Sequence, residues 1–354
     1  MVRLYNLSSH LYVSRFMVCF AGVRDDFDGR DKIHVAPVQL LISHQANNLV
    51  EVYTVQKAKR RGMVTNRTCA VVVTFHPDND VIENLHKLRD QVESLVVVDN
   101  GSSPESISLL RRASAEIKFE LIENGENLGI ATALNIGIRW VERNAYHWVI
   151  FFDQDSAVTE AFMETMIRAY ETHPQRDRLA ILVPQYVDKR LGSPLPPPLT
   201  SEGKLEVATT SGTLMLVSSF RTHGLFEDDL FIDGVDYEYS LRLRSSGYLI
   251  EECREAVLLH SPGSPQTHRF CGLYLCQTAN YSPLRRYYQE RNKIWVARKY
   301  WRKCPGSCFK LFKYSLNALA KIVLAENQKW DKCYYFSMGI ADGLRGRMGK
   351  TNRL

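Results

Sequence analysis

From Thr68 onward, short apolar runs alternate with stretches of helical period. Residues 70–74 (AVVVT) are largely β-branched, as in a parallel strand buried on both faces. His76-Pro77-Asp78 punctuates the run, and residues 81–88 have helical spacing. Residues 95–98 read as a second strand, closed by Asp99-Asn100-Gly101-Ser102-Ser103. Pro104 is then placed to open a helix behind a serine cap. Residues 119–122 read as a third strand, 130–140 as a helix, 148–152 as a fourth strand and 180–183 as a fifth. This rhythm predicts an α/β fold with a mainly parallel, Rossmann-like sheet flanked by helices.

Beyond Pro184 the rhythm changes. Residues 191–199 hold four prolines and read as a loop. Residues 213–217 and 256–259 read as later strands and 235–245 as a helix. From Pro283 to the end the pattern predicts three helices, broken at Cys304-Pro305-Gly306 and near Lys329. Residues 1–62 show no sustained period and end in a basic run. They read as a poorly ordered N-terminal extension or a helical arm, with Met63 opening the organised chain. The expected division is therefore 1–62, an α/β domain over 63–265, and a helical region over 266–354.

Composition narrows the class. The chain has 354 residues, 45% hydrophobic and 24% charged, which excludes disordered and disulfide-miniature proteins. The net charge of +6 hides an asymmetry. Residues 285–354 hold 17 Lys/Arg and 4 Asp/Glu, a net +13, which leaves −7 on the rest. Such a tail predicts an anionic partner surface. Residues 295–325 interleave aromatics and leucines with seven Lys/Arg, the pattern of a helix lying on an anionic membrane surface. Helices packed on a core, or a homo-oligomer interface, share that pattern. No recognised nucleic-acid-binding motif is present, so no nucleic acid partner is expected. No apolar run approaches the roughly 20 residues of a spanning helix, and no signal peptide is read. The eight cysteines form no CxxC pair and read as reduced thiols of a cytosolic protein.

The chemistry is expected at the carboxyl ends of the strands, where open α/β sheets bind ligands. Asp153-Gln154-Asp155 follows the apolar run WVIFF. Two carboxylates at that spacing suit a hard cation, Mg²⁺ or Mn²⁺, bridging to phosphate. Asp99 either closes a helix-entry turn or accepts hydrogen bonds from a nucleobase or ribose. Residues 127–137 are rich in small residues but lack the G-x-G-x-x-G fingerprint, which disfavours a Rossmann oxidoreductase. Asp236 stands at a helix start, where the dipole favours an anion. It is either a capping acid or a general base. Arg285, Arg286 and Arg291 offer forked donors for phosphate, or form a solvated helix face.

Taken in order, the motifs are VVVTFHP (71–77), VVVDNGS (96–102), ENLGIATALNIGI (126–138), FFDQDS (151–156), TSGTLM (210–215), LFIDGVDYEYSLRLRSSGY (230–248) and RRYYQERN (285–292). Together they resemble family 2 glycosyltransferases of the GT-A fold, above all bacterial rhamnosyltransferases of surface polysaccharides such as O-antigen. The resemblance implies that Thr74, Phe75 and Asp99 hold the nucleotide. It implies that Asn127, Gly129 and Asn135 line the nucleotide-sugar site; of the three arginines, Arg291 is the one expected there, at the diphosphate or a lipid-linked phosphate. Asp153 and Asp155 would hold Mg²⁺ or Mn²⁺, with His260 as a further ligand. Asp236 would be the base and Asp233 would orient it or the acceptor hydroxyl. Where many relatives carry Glu-Asp, this chain has Val235-Asp236.

The implied activity is inverting transfer of L-rhamnose from dTDP-L-rhamnose to a lipid-linked saccharide or polysaccharide acceptor. The implied location is cytoplasmic, peripheral at the inner face of the plasma membrane. Another nucleotide sugar (a galactofuranosyl or hexosyl donor) and a non-catalytic saccharide-binding scaffold stay open. Residues 191–199 and 261–282 are expected to shape acceptor choice.

Overall fold

The computed structural model describes residues 67–351, apart from 201–202, 261–265 and 271–272. The extension read over 1–62 lies outside the described residues. Four parallel strands make the first half of the sheet: β1 (Thr68–Thr74), β2 (Ser94–Asp99), β3 (Glu120–Glu123) and β4 (Trp148–Asp153). Helices α1 (Asp80–Arg89), α2 (Pro104–Ile117) and α3 (Ile130–Arg143) cross between them. Successive side chains of a strand point to opposite faces. Val71, Val73, Val96, Val98 and Phe151 therefore meet α3 on one side. Ala70, Val72, Leu95, Val97 and Phe152 meet α1, α2 and α4 (Phe162–Glu171) on the other. Both faces are covered, which is why these runs are apolar without alternation. Each fully buried Val, Leu or Phe contributes about 1.5–3 kcal/mol. Helix α3 lies close on β1 because position 137 is glycine. A Cβ there would sit 2.4 Å from Val71 Cγ1.

The remaining strands are β5 (Ala157–Val158), β6 (Leu179–Asp188), β7 (Leu214–Leu216) and β8 (Leu249–His260). The sheet order is β3-β2-β1-β4-β7-β6-β8-β5. β7 runs antiparallel to β4 and β6, and β5 antiparallel to β8; β6 and β8 are parallel. The mainly parallel reading stands. β8, expected only over 256–259, begins at Leu249. Its register on β6 slips between the Pro184–Cys253 and Gln185–Val257 pairs. The bulge carries exposed Arg254 and Glu255, so no strand period is visible there. Helix α4 was not expected although Phe162, Met163, Met166 and Tyr170 have helical spacing; the short helix α5 (Val217–His223) and the hairpin β9 (Gln266–Phe270) and β10 (Leu273–Thr278) have no clear sequence pattern.

Helix α6 (Val235–Ser245) precedes β8. The three expected C-terminal helices are α7 (Pro283–Tyr300), α8 (Pro305–Leu324) and α9 (Lys329–Arg345). Leu241 of α6 packs with Val296, Tyr300, Cys308 and Leu311. The buried Glu238 carboxylate accepts from Arg242, from Lys299 at 3.0 Å and from Tyr300 at 2.6 Å. This network ties α6 to α7. The six described cysteines are unpaired. Among the described residues, no helix is long and apolar enough to cross a membrane.

Candidate active site

Strand register assembles the first part of the site. Thr74 lies opposite Asp99, and Val73 opposite Asp153. Neighbouring strands are about 4.8 Å apart, so three polar strand ends share the carboxyl edge. The buried Asp99 carboxylate accepts from Thr74 Oγ1 (3.0 Å), Ser102 Oγ, and the Gly101 and Ser102 amides (3.1 and 2.9 Å). Its lone pairs are met inside the turn, and a ligand donor reaches it only when a hydroxyl rotates aside. Phe75 is 44% exposed, an apolar ring at the cleft edge. Gln154 links the strand ends. Its Oε1 accepts from the Phe75 amide (2.8 Å) and its carbonyl from Asn84 Nδ2 (3.2 Å).

The two-residue strand β5 supplies the second part. It pairs Ala157 with Leu259, which brings His260 at the end of β8 beside Asp155. Donor atoms of Asp153, Asp155 and His260 lie within 4.8 Å of one another. Burial and the neighbouring Asp155 charge push the Asp153 carboxyl up to about 6. His260 Nδ1 is 3.4 Å from Ser156 Oγ, and Ser156 Oγ is 2.7 Å from Ser211 Oγ. Ser211 Oγ in turn accepts from the Asp153 amide (3.1 Å). Lys189 donates to the Asp155 carbonyl. Two carboxylates and an imidazole whose donor atoms converge in this way fit a divalent ion.

The third part is the loop before α6. Phe231 (φ 60°) and Asp233 (φ 62°) are both left-handed, which is costly for non-glycine residues. Asn292 of α7 holds them there. Its Nδ2 donates to the carbonyls of Leu230 (2.8 Å), Ile232 (2.8 Å) and Asp233 (2.7 Å). Arg285 grips the Asp233 carboxylate with two hydrogen bonds of 3.0 Å. Asp236 follows in the first turn of α6, its Oδ1 accepting from the Tyr237 amide (2.8 Å). Burial pushes its carboxyl up to about 6, with Asp233 and Asp153 adding to the rise. The Asp153 charge thus reaches Asp236. Beside Asp236 opens a cavity of about 470 Å³, lined by Tyr237, Tyr281, Lys293, Tyr314, Asn317 and Lys321 among others. That volume suits a sugar-sized ligand.

Not every expected residue reaches this cleft. Asn135 is fully buried. Its Nδ2 donates to the Phe226 carbonyl (2.9 Å) and Asp228 Oδ1 (2.8 Å), and its Oδ1 accepts from the Phe226 amide (3.0 Å). The expected donor contact gives way to a loop anchor. Arg291 is also buried, donating to the carbonyls of Gly349, Asp229 and Leu230. It fastens the same loop, with its guanidinium spent on these backbone carbonyls. Asn127 Oδ1 accepts from Asn100 Nδ2 (3.1 Å) and the Gly129 amide (3.0 Å), fixing its own turn. Gly129 makes room for the loop: a Cβ there would lie 2.6 Å from the Phe231 carbonyl oxygen. Ser211 and Asn292 were not singled out from the sequence, although both lie inside quoted motifs. A polar residue on the buried side of a helix or turn was the available signal.

The sheet order and the acidic strand ends have the arrangement of the GT-A fold. Residues 69–198 match the family model described as Glycosyl transferase family 2. Among curated proteins, dTDP-rhamnosyl transferase RfbF of Shigella flexneri is 29% identical over 300 residues, covering 79% of this chain and 96% of its own. Galactofuranosyltransferase GlfT1 of Mycobacterium tuberculosis is 25% identical over 252 residues, 66% of this chain and 83% of its own. The crystal structure of S. aureus TarS 1-349 in complex with UDP-GlcNAc aligns with a TM-score of 0.54 at 10% identity. It covers 79% of this chain and 81% of that one, a likeness of fold alone. This chain is a glycosyltransferase carrying a family 2 domain, and it is rhamnosyltransferase-like.

Proposed function

We propose that the protein transfers L-rhamnose from dTDP-L-rhamnose to a hydroxyl of a lipid-linked saccharide, inverting the anomeric carbon. The observation that carries this reading is the convergence of Asp236 on the cleft that holds Asp153, Asp155 and His260. The similarity to RfbF of Shigella flexneri favours the rhamnosyl donor. Asp236, ionised above about pH 6, takes the proton of the acceptor hydroxyl. That oxygen bonds the anomeric carbon as the bond to the leaving diphosphate breaks. No covalent enzyme intermediate is needed. Asp233, paired with Arg285, positions the loop that carries Asp236. Thr74, Phe75 and Asp99 hold the nucleotide end. Asp153, Asp155 and His260 hold Mg²⁺ or Mn²⁺, and the imidazole favours Mn²⁺. The bound cation would offset charge on the leaving diphosphate. In this reading residues 63–265 are the catalytic domain, and the helices of 266–354 cover the acceptor cavity. The acceptor places the protein at the inner face of the plasma membrane.

Initial rates of nucleotide release from a panel of sugar nucleotides, with Mg²⁺ or Mn²⁺, test the proposal. dTDP-L-rhamnose is expected to be the best donor. A galactofuranosyl or hexosyl donor in first place overturns the sugar assignment. Failure to bind any sugar nucleotide would support a saccharide-binding scaffold.

A further inference from the structure

Helix α8 is apolar on two sides. Cys308, Leu311, Ala318 and Ile322 are buried against α7 and α9. Yet Phe309, Phe312, Leu316 and Val323 are each about half exposed, at 51–55%. At 100° per residue, these four and Ala320 fall within about 80° of arc. A helix folded only against its own protein has a polar outer face. Helix α9 repeats the feature, with Trp330 89% and Tyr334 63% exposed. Leu319, Cys333 and Ile340 pack where the two helices meet. Trp301, at the end of α7, closes an apolar groove with Phe309 and Phe312.

Charge singles out the occupant. Between Glu290 and Glu326 there is no acidic residue, but there are nine Lys/Arg. Arg302, Lys303, Lys313 and Lys329 are exposed around the apolar stripe. Aromatic and aliphatic side chains ringed by cations suit the headgroup level of an anionic bilayer. A second copy of this chain would bring the same positive field against itself. The neighbouring face of α8 presents Tyr314, Asn317 and Lys321 to the cavity beside Asp236.

We propose that the outer face of α8, continued by Trp301 and Trp330, docks on an anionic lipid surface and sets the Asp236 cavity at the bilayer edge. This rests on the reading of a lipid-linked acceptor, but its test does not need the donor. The full chain is sedimented with phosphatidylcholine vesicles containing or lacking phosphatidylglycerol. Binding is expected only with phosphatidylglycerol, falling steeply with salt. The double variant Phe309→Ser with Phe312→Ser should lose at least about tenfold in partitioning. Lys313→Glu with Arg302→Glu should lose a similar factor through charge alone. Nucleotide release with a short water-soluble acceptor should stay unchanged in both variants. That readout separates failure of docking from failure of the transferase reading. Equal binding to neutral vesicles, binding unaffected by either variant, or a concentration-dependent dimer abolished by the same substitutions overturns the proposal.

Discussion

Replacing Asp236 by Asn should make the metal-free protein more stable while removing its chemistry. The wild-type carboxyl is raised from an ordinary 3.8 to about 6 by burial and by Asp233 and Asp153. A shift of about two units corresponds to a ceiling of about 3 kcal/mol. Solvent in the open cleft screens part of this, so about 1–2 kcal/mol is expected. The sign follows from proton binding. A raised carboxyl binds its proton more tightly in the folded state, so stability falls as pH rises from about 4 through about 6. Above pH 6 the folded protein carries the full cost of the ionised group. Asn keeps the acceptor for the Tyr237 amide but carries no charge. Thermal denaturation in EDTA at pH 7.5 should therefore show Asp236→Asn melting about 2–6 °C higher than wild type. The gain should shrink to about half at pH 5. A lower melting temperature at pH 7.5, or a gain that does not change with pH, would refute the electrostatic account of the cleft.

Three other substitutions separate the parts of the site. His260→Ala should raise the Mn²⁺ concentration for half-maximal activity about tenfold or more; an unchanged metal titration removes His260 from the ligand set. Asn292→Ala leaves carbonyls of the left-handed loop unsatisfied and should cost about 2–3 kcal/mol in urea denaturation. It should also lower kcat with donor affinity preserved, because the loop carries Asp233 toward Asp236; an unchanged kcat rejects that positioning role. Gly129→Ala forces a Cβ against Phe231 at a φ of 89°, and should cost about 1–3 kcal/mol by the same measurement. A neutral result would mean that the loop is not seated on this glycine.

Much of the first half of the sheet was legible because β1, β2 and β4 are buried on both faces. Runs such as AVVVT and WVIFF have no other simple home, and their polar ends mark the cleft directly. The C-terminal helices were legible from Pro283, Pro305 and the helical spacing between them. Strand β8 was only half visible, since its bulge spends Arg254 and Glu255 on solvent. β5 has two residues, too few for any period, yet it delivers His260 to Asp155. The Asp153–Asp155 pair was therefore legible from its place after WVIFF and His260 through the resemblance, but their approach through β5 was not. Asn135 and Arg291 show the other limit. A polar residue within a motif looks like a ligand contact, but Asn135 spends its hydrogen bonds on the loop before α6, and Arg291 on that loop and on Gly349. Their backbone partners lie some 60 to 90 positions away, where local pattern carries no signal.

In the proposed reaction Asp236 acts as base on an acceptor held against a donor at Asp153 and Asp155. The most direct measurement is transfer from dTDP-L-rhamnose with Mn²⁺, comparing wild type with Asp236→Asn, alongside dTDP binding by calorimetry. Transfer should fall at least about 10²-fold, with dTDP affinity unchanged within about twofold. Transfer at the wild-type rate by the Asn variant would exclude Asp236 as the base.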